Sequence, residues 1–190
     1  MPSLYKLESQ QENGEWQPHV YPVEFRHETT DADSGRLCIT CSTGQVGLLL
    51  SLSATFAEPL FALFVLALSR CDENHCARYQ SPKLTRPQVV EFLERFKDFF
   101  ERDGRHRLWI HAPLSEATLV YDNHNVIYAY GPLAEFRSIL QANGYHEVDH
   151  VAVLGPHGHC YHAEFDPAER AVIAAFDWSR SPLKEQDDPR

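Results

Sequence analysis

Apolar positions recur at helical spacing most clearly in one stretch. Val89, Phe92, Leu93, Phe96, Phe99 and Phe100 make a wide hydrophobic face, while Glu91 with Arg95 and Asp98 with Arg102 stand four apart on the wet side. Thr85 followed three residues on by Gln88, with Pro87 in the first turn, predicts the start of this helix, and Gly104 its end. A second helix follows Gly131-Pro132, turns Leu133, Phe136, Ile139 and Leu140 inward and stops at Asn143-Gly144. Asp166-Pro167-Ala168-Glu169 opens a third, whose small inner face of Ala168, Ala171, Val172 and Ala175 allows close approach to a sheet.

Between these helices the pattern is that of strands. Edge strands are expected around Trp16, Val20, Val23 and Phe25, and a turn at Asp31-Ala32-Asp33-Ser34-Gly35. Strands are predicted over 36–42, 46–55 and 60–69, the last two apolar on both faces and so central in a covered sheet. Residues 70–83 are polar and irregular, which suggests a long surface loop or a subdomain boundary. Strands at 108–111, 117–121 and 126–130 come next, the last two joined by Asp122-Asn123-His124-Asn125 as an antiparallel hairpin. Pairing Tyr121 with Val126 would put Leu119, Tyr121, Val126, Tyr128 and Tyr130 on one face. A strand over 147–154 and its shorter neighbour over 159–165 precede the third helix. The expected architecture is α+β: a mostly antiparallel sheet with about three helices packed on one side, a single domain over 1–178, and a frayed tail over 179–190.

Composition narrows the function classes. The 190 residues carry 27 acidic against 17 basic side chains, a net charge of -10 with histidine neutral, and the basic residues are scattered, so nucleic acid is not an expected partner. The longest apolar run, Leu60 to Leu68, is far shorter than the ~20 residues that span a bilayer, and the first residues do not read as a secretory signal. Five cysteines at irregular spacing suit reduced thiols, hence a cytoplasmic protein. Cys38-x-x-Cys41 and Cys71-x4-Cys76 could together supply four thiolates to a metal. Residues three apart in a strand face opposite ways, however, which favours separately buried cysteines.

Five of the 11 histidines, His146, His150, His157, His159 and His162, fall in one short stretch. His157 and His159 alternate as strand neighbours do, so both imidazoles can project to one side and close on Zn²⁺ at about 2.0–2.1 Å. The segment His157-Gly158-His159-Cys160-Tyr161-His162 resembles the H-x-H-x-D-H of metallo-β-lactamase-type hydrolases, with Tyr161 in place of the aspartate ligand. His157, His159 and Glu164 are also similar in spacing to the first cupin motif, which would imply a β-barrel. Both likenesses are confined to this stretch, and neither family is assigned.

Two functional expectations follow. The first is a non-catalytic binding or interaction domain, for a protein partner or for self-association as a homodimer, with Tyr121, His124, Tyr128 and Tyr130 as its contact residues and no cofactor. The second is a small metal-dependent enzyme of hydrolase type, with Zn or Mn held by His157, His159, His162 and Glu164. Within the hairpin loop, Asp122 with His124 is also an acid/base pair by type, although turns favour both residues for backbone reasons.

Overall fold

The computed structural model describes residues 4–29, 35–151 and 154–187. In chain order its elements are β1 (Leu7–Gln10), β2 (Trp16–Pro18), β3 (Glu24–Thr29), β4 (Gly35–Thr40), α1 (Gln45–Ser53), β5 (Phe61–Leu66), β6 (Ala77–Gln80), α2 (Arg86–Arg95), α3 (Lys97–Arg102), β7 (His106–Ala112), β8 (Ala117–Tyr121), β9 (Val126–Tyr130), α4 (Leu133–Ala142), β10 (His146–Glu147), β11 (His157–His159), α5 (Asp166–Ile173) and β12 (Ser179–Ser181). Nine strands form one sheet in the order β10-β3-β4-β9-β8-β7-β5-β6-β12, antiparallel except where β10 runs parallel to β3. A separate three-stranded sheet, β11-β1-β2, is antiparallel throughout. The α+β, mostly antiparallel, single-domain architecture read from the sequence is the one observed, with five helices among the described residues.

The helices meet one face of the large sheet in a core built from Phe25, Phe64, Leu108, Leu119 and Tyr121 on the strands and Leu49, Phe92, Phe100 and Phe136 on the helices. On the other face a smaller cluster joins the sheets: Leu7 of β1, Cys38 of β4, Val126 of β9 and Tyr21 are buried there, with Tyr128, Val151 and Leu154 packed against them. Cys38 and Cys41 thus belong to opposite faces, and all five cysteines are free thiols.

Local signals account for several elements directly. Gln88 Oε1 accepts the Thr85 N–H at 2.8 Å and closes the start of α2. The long helix expected over 85–103 is instead two, α2 and α3, hinged at Phe96, which leaves helical geometry at φ -107°. The stretch 46–55, expected as a strand, is the helix α1. It packs against α2, α3, α4 and β8 at once, so it is apolar nearly all round, and a short run of that kind does not distinguish helix from strand. Within the expected loop 70–83 lies β6, whose alternating pattern buries Ala77 and Tyr79 beside β5.

The 8–9 hairpin forms where expected but with a different register. Val126 faces Asp122 as the closing rung, with Asp122 N–H donating to the Val126 carbonyl at 3.0 Å, so Tyr121 pairs with Ile127. A one-residue slip exchanges faces. Leu119, Tyr121, Ile127 and Ala129 enter the main core, while Val126, Tyr128 and Tyr130 turn to the opposite side.

The carboxy-terminal expectations also change. Among the described residues of 147–154, Glu147 pairs, with His146, as β10. The next strand is His157–His159, not 159–165, and residues 163–165 form a helical turn. Residues 179–187, expected as a frayed tail, add β12 to the edge of the sheet and anchor Asp187, which is 1% exposed, on Arg78 at 2.8 Å. The turn expected at 31–35 lies outside the described residues apart from Gly35. Among the described residues no helix is long and apolar enough to cross a membrane.

Candidate metal centre

The small sheet places two histidines and the 8–9 hairpin supplies a third. β11 pairs with β1 so that His159 lies opposite Leu7 and His157 opposite Ser9, and the two imidazoles leave the strand on the same side. Against them stands His124, from the tip of the hairpin. Ring centroids are 5.1 Å apart for His124–His157, 4.8 Å for His124–His159 and 5.7 Å for His157–His159. One nitrogen from each ring lies within 4.8 Å of the other two. A tetrahedral ion with ~2.0–2.1 Å bonds needs its ligands about 3.4 Å apart, so modest ring rotation closes the set.

Second contacts set the tautomer of two of the rings. His124 Nδ1 donates to Asp122 Oδ2 at 3.3 Å, and His157 Nδ1 donates to the Gly155 carbonyl at 2.9 Å. In both rings Nε2 is left with its lone pair free, the tautomer that a carboxylate or carbonyl partner selects in metal sites. The Asp122 carboxylate also holds the loop in shape, because its Oδ1 accepts the N–H groups of His124 at 2.9 Å and Val126 at 3.0 Å. Asn125 completes the loop at φ 62°, a left-handed conformation that asparagine tolerates. The third ring is the most enclosed. His159 Nε2 is buried without a hydrogen-bond partner, and burial, reinforced by His124, His157 and Lys6 against the pull of Asp122, lowers its pKa to about 4. It is therefore neutral near pH 7, the form that ligates.

Gly104 makes this arrangement sterically feasible. A Cβ there would stand 2.9 Å from His159 Cβ and 3.0 Å from the Lys6 carbonyl oxygen, and the Gly104 N–H donates to the Cys160 carbonyl at 2.9 Å. The glycine that ends α3 thus seats the small sheet on the large one.

A cavity of about 460 Å³ opens beside the histidines. His124, His157 and Asp122 line one part of it, Tyr21, Val126, Tyr128, Val151 and Leu154 give it apolar walls, and Arg26, Glu28, Cys38, Thr40 and His150 also border it. Glu28 is shared by Arg26 and, at 2.7 Å, by Arg36, whose guanidinium also lies 4.2 Å over the Tyr128 ring and donates to the Tyr130 hydroxyl at 2.7 Å.

Of the residues singled out in the sequence, His157 and His159 converge and His124 joins them. His162 does not: its Nε2 donates to the Tyr5 carbonyl at 2.8 Å and its N–H to Asp103 Oδ2 at 2.8 Å. Glu164 is exposed on the helical turn before α5. Among the tyrosines, Tyr121 is 0% exposed and bonded to Asn125, so it is a core residue, while Tyr128 and Tyr130 are occupied by Arg36. The spatial set therefore matches neither local pattern that His157-Gly158-His159 resembles. His124 lies 33 positions upstream, and the one sequence signal for it was the Asp122–His124 pair in a single loop. Gly104 and Lys6 carried no signal of a site.

The chain matches no known protein family, no curated protein and no solved structure.

Proposed function

We propose that this protein is a metal-dependent hydrolase whose ion is held by His124, His157 and His159. The observation that carries the reading is the convergence of three ring nitrogens, with two of the rings hydrogen-bonded through Nδ1 to Asp122 and the Gly155 carbonyl. Three neutral imidazoles without a carboxylate in the inner set suit Zn²⁺ better than Mn²⁺. Three protein ligands leave a fourth position for water, whose pKa a bound zinc ion lowers to about 7. The adjoining cavity supplies room for a substrate with an apolar part, which Tyr21, Val126 and Leu154 would contact. A contact surface on the tyrosines of the hairpin has less support, because Tyr121 lies in the core.

Titration of the metal-free protein with Zn²⁺ by calorimetry should give one equivalent bound, and Co²⁺ in its place should show the visible absorption of a tetrahedral site. His124→Ala and His159→Ala should each remove both signals. Zinc-dependent hydrolysis of 4-nitrophenyl acetate with a midpoint near pH 7 tests the chemistry separately. Less than a tenth of an equivalent bound, with no thermal stabilisation by zinc, rejects the centre. Full binding with no hydrolysis of any ester, amide or phosphoester probe rejects the enzyme.

A further inference from the structure

Lys6 lies on the far side of the same hairpin loop and takes no part in holding the metal. It is 1% exposed, whereas Lys83 and Lys184 are exposed and Lys97 is half-buried. Its backbone is clamped into the small sheet, with the carbonyl accepting the Cys160 N–H at 2.8 Å. The side chain runs inward until Nζ sits 3.8 Å over the Tyr121 ring, and among the described residues its one hydrogen bond goes to the Asp122 carbonyl at 3.3 Å. An ammonium has three donors, and a buried charge needs all of them satisfied.

Lys6 lines a cavity of about 310 Å³ that Gln45, Asn125, Glu101, Arg102 and His19 also border. Gln45 is fully buried; its Nε2 donates to the Cys41 carbonyl at 2.8 Å, and its Oε1 is buried with no donor. Glu101 accepts the Val46 N–H at 2.9 Å at the start of α1. Two fully buried polar side chains with unused hydrogen-bonding capacity therefore border one cavity.

We propose that this cavity is a carbonyl-capture site, in which the Lys6 amine adds to a small uncharged aldehyde or ketone and forms an imine. The nitrogen lone pair of Lys6 forms a C–N bond to the carbonyl carbon as the C=O π bond breaks. One proton passes from nitrogen to oxygen to give a hydroxyl on that carbon, and the second N–H proton leaves with this hydroxyl as water, so that C=N forms and one water molecule is released. Gln45 Oε1 is the acceptor suited to the hydroxyl of the addition intermediate, and Glu101 is the proton carrier bordering the same space. Glu101 and Arg102 border the space with opposite charges, so neither an anion nor a cation is selected. Desolvation also brings the Lys6 pKa down to about 7 against the opposing pull of Asp122, Asp103 and Glu101, with His106 and His159 as its other titratable neighbours. An appreciable share of the amine is then uncharged at neutral pH, unlike that of a surface lysine.

The decisive experiment is competitive labelling of the full chain at pH 7 with acetaldehyde and sodium cyanoborohydride, read by peptide mass spectrometry. Lys6 should be ethylated at least tenfold faster than Lys83, Lys97 and Lys184, and Glu101→Gln should slow Lys6 while leaving the other three unchanged. Equal rates at all four lysines, or protection of Lys6 while the others react, overturns the proposal. Chelator-treated protein should label as the untreated protein does, so the result stands or falls apart from the metal centre.

Discussion

The two faces of the nine-stranded sheet are built on opposite terms. Against the helices, Phe64, Phe92, Phe99 and Phe100 pack with ring centroids 5.5 to 6.4 Å apart, and burial leaves these rings almost no exposure. Against the small sheet, the buried cluster has four members among the described residues, and around it lie a cavity, an ion-paired Arg26–Glu28–Arg36 set and three histidines. The first face supplies stability through apolar area. The second gives up part of that area to keep polar groups at the edge of a cavity, where their chemistry is available. Charge is handled differently as well. Arg105, buried beneath α5, is matched by Asp103 at 2.7 Å and Glu169 at 2.6 Å, whereas His159 on the small sheet keeps a buried Nε2 with no hydrogen-bond partner among the described residues.

The sharpest way to break this contrast is to damage each face and see whether the other notices. Phe100→Ala should cost about 3–5 kcal/mol in urea unfolding, through lost burial and the cavity left behind. Zinc affinity of the molecules that remain folded should be unchanged. Asp122→Asn keeps an oxygen for the loop N–H groups but loses the carboxylate behind His124, and should weaken zinc binding by about 10–100-fold with little effect on the urea midpoint. Gly104→Ala should reach both faces, costing about 1–2 kcal/mol through the contact with His159 Cβ and lowering zinc affinity as that ring shifts.

A smaller effect is expected at His106, which sits fully buried among Phe64, Phe99 and Phe100, with neither ring nitrogen in a well-formed hydrogen bond. Burial holds its pKa well below the usual value. His106→Leu should therefore stabilise the fold by about 1 kcal/mol in urea unfolding, since it removes a desolvated polar ring.

Acid should separate the two faces in metal-free protein. The His159 pKa is lower folded than unfolded, so its neutral form contributes stability above the unfolded value of about 6.5. That contribution drains away as pH falls toward about 4. Burial tends to raise the Glu169 pKa, but hydrogen bonds from Ser69, Arg105 and His75 outweigh it and hold the carboxyl below its ordinary range. Its share is present above about pH 4.5 and is lost only below that. In His106→Leu protein, which lacks the depressed imidazole of the helix face, fluorescence of Trp16, on the small sheet, should change at higher pH than that of Trp178, which packs against Phe92 and Tyr79. Coincident transitions would show that the two faces unfold as one.

Much of the scaffold was legible because its signals are local. The Thr85–Gln88 cap, the proline after Asp166 and the hairpin between Tyr121 and Val126 each act within a few residues, and each element formed where those residues stand. α1 was misread because its environment, three helices and a strand, lies elsewhere in the chain and leaves no polar face to reveal its period. The hairpin register turned on one side-chain carboxylate, Asp122, capping two N–H groups; loop composition alone is compatible with either pairing. Asp166 and Glu169 read as helix-start residues, and in the fold both carboxylates also reach Arg105.

The alternation of His157 and His159 is written in the primary structure, as are the acidic balance, the α+β succession and the Asp122–His124 pair, since all depend on residue type and near spacing. Other features depend on long-range packing: which third imidazole completes the set, whether His162 can join it, and whether Lys6 and His159 lose their water. Those properties arise from the seating of β1 and β11 on the hairpin across Gly104. Convergence and desolvation belong to surfaces that meet in space, and no window of neighbouring residues contains both sides of such a meeting.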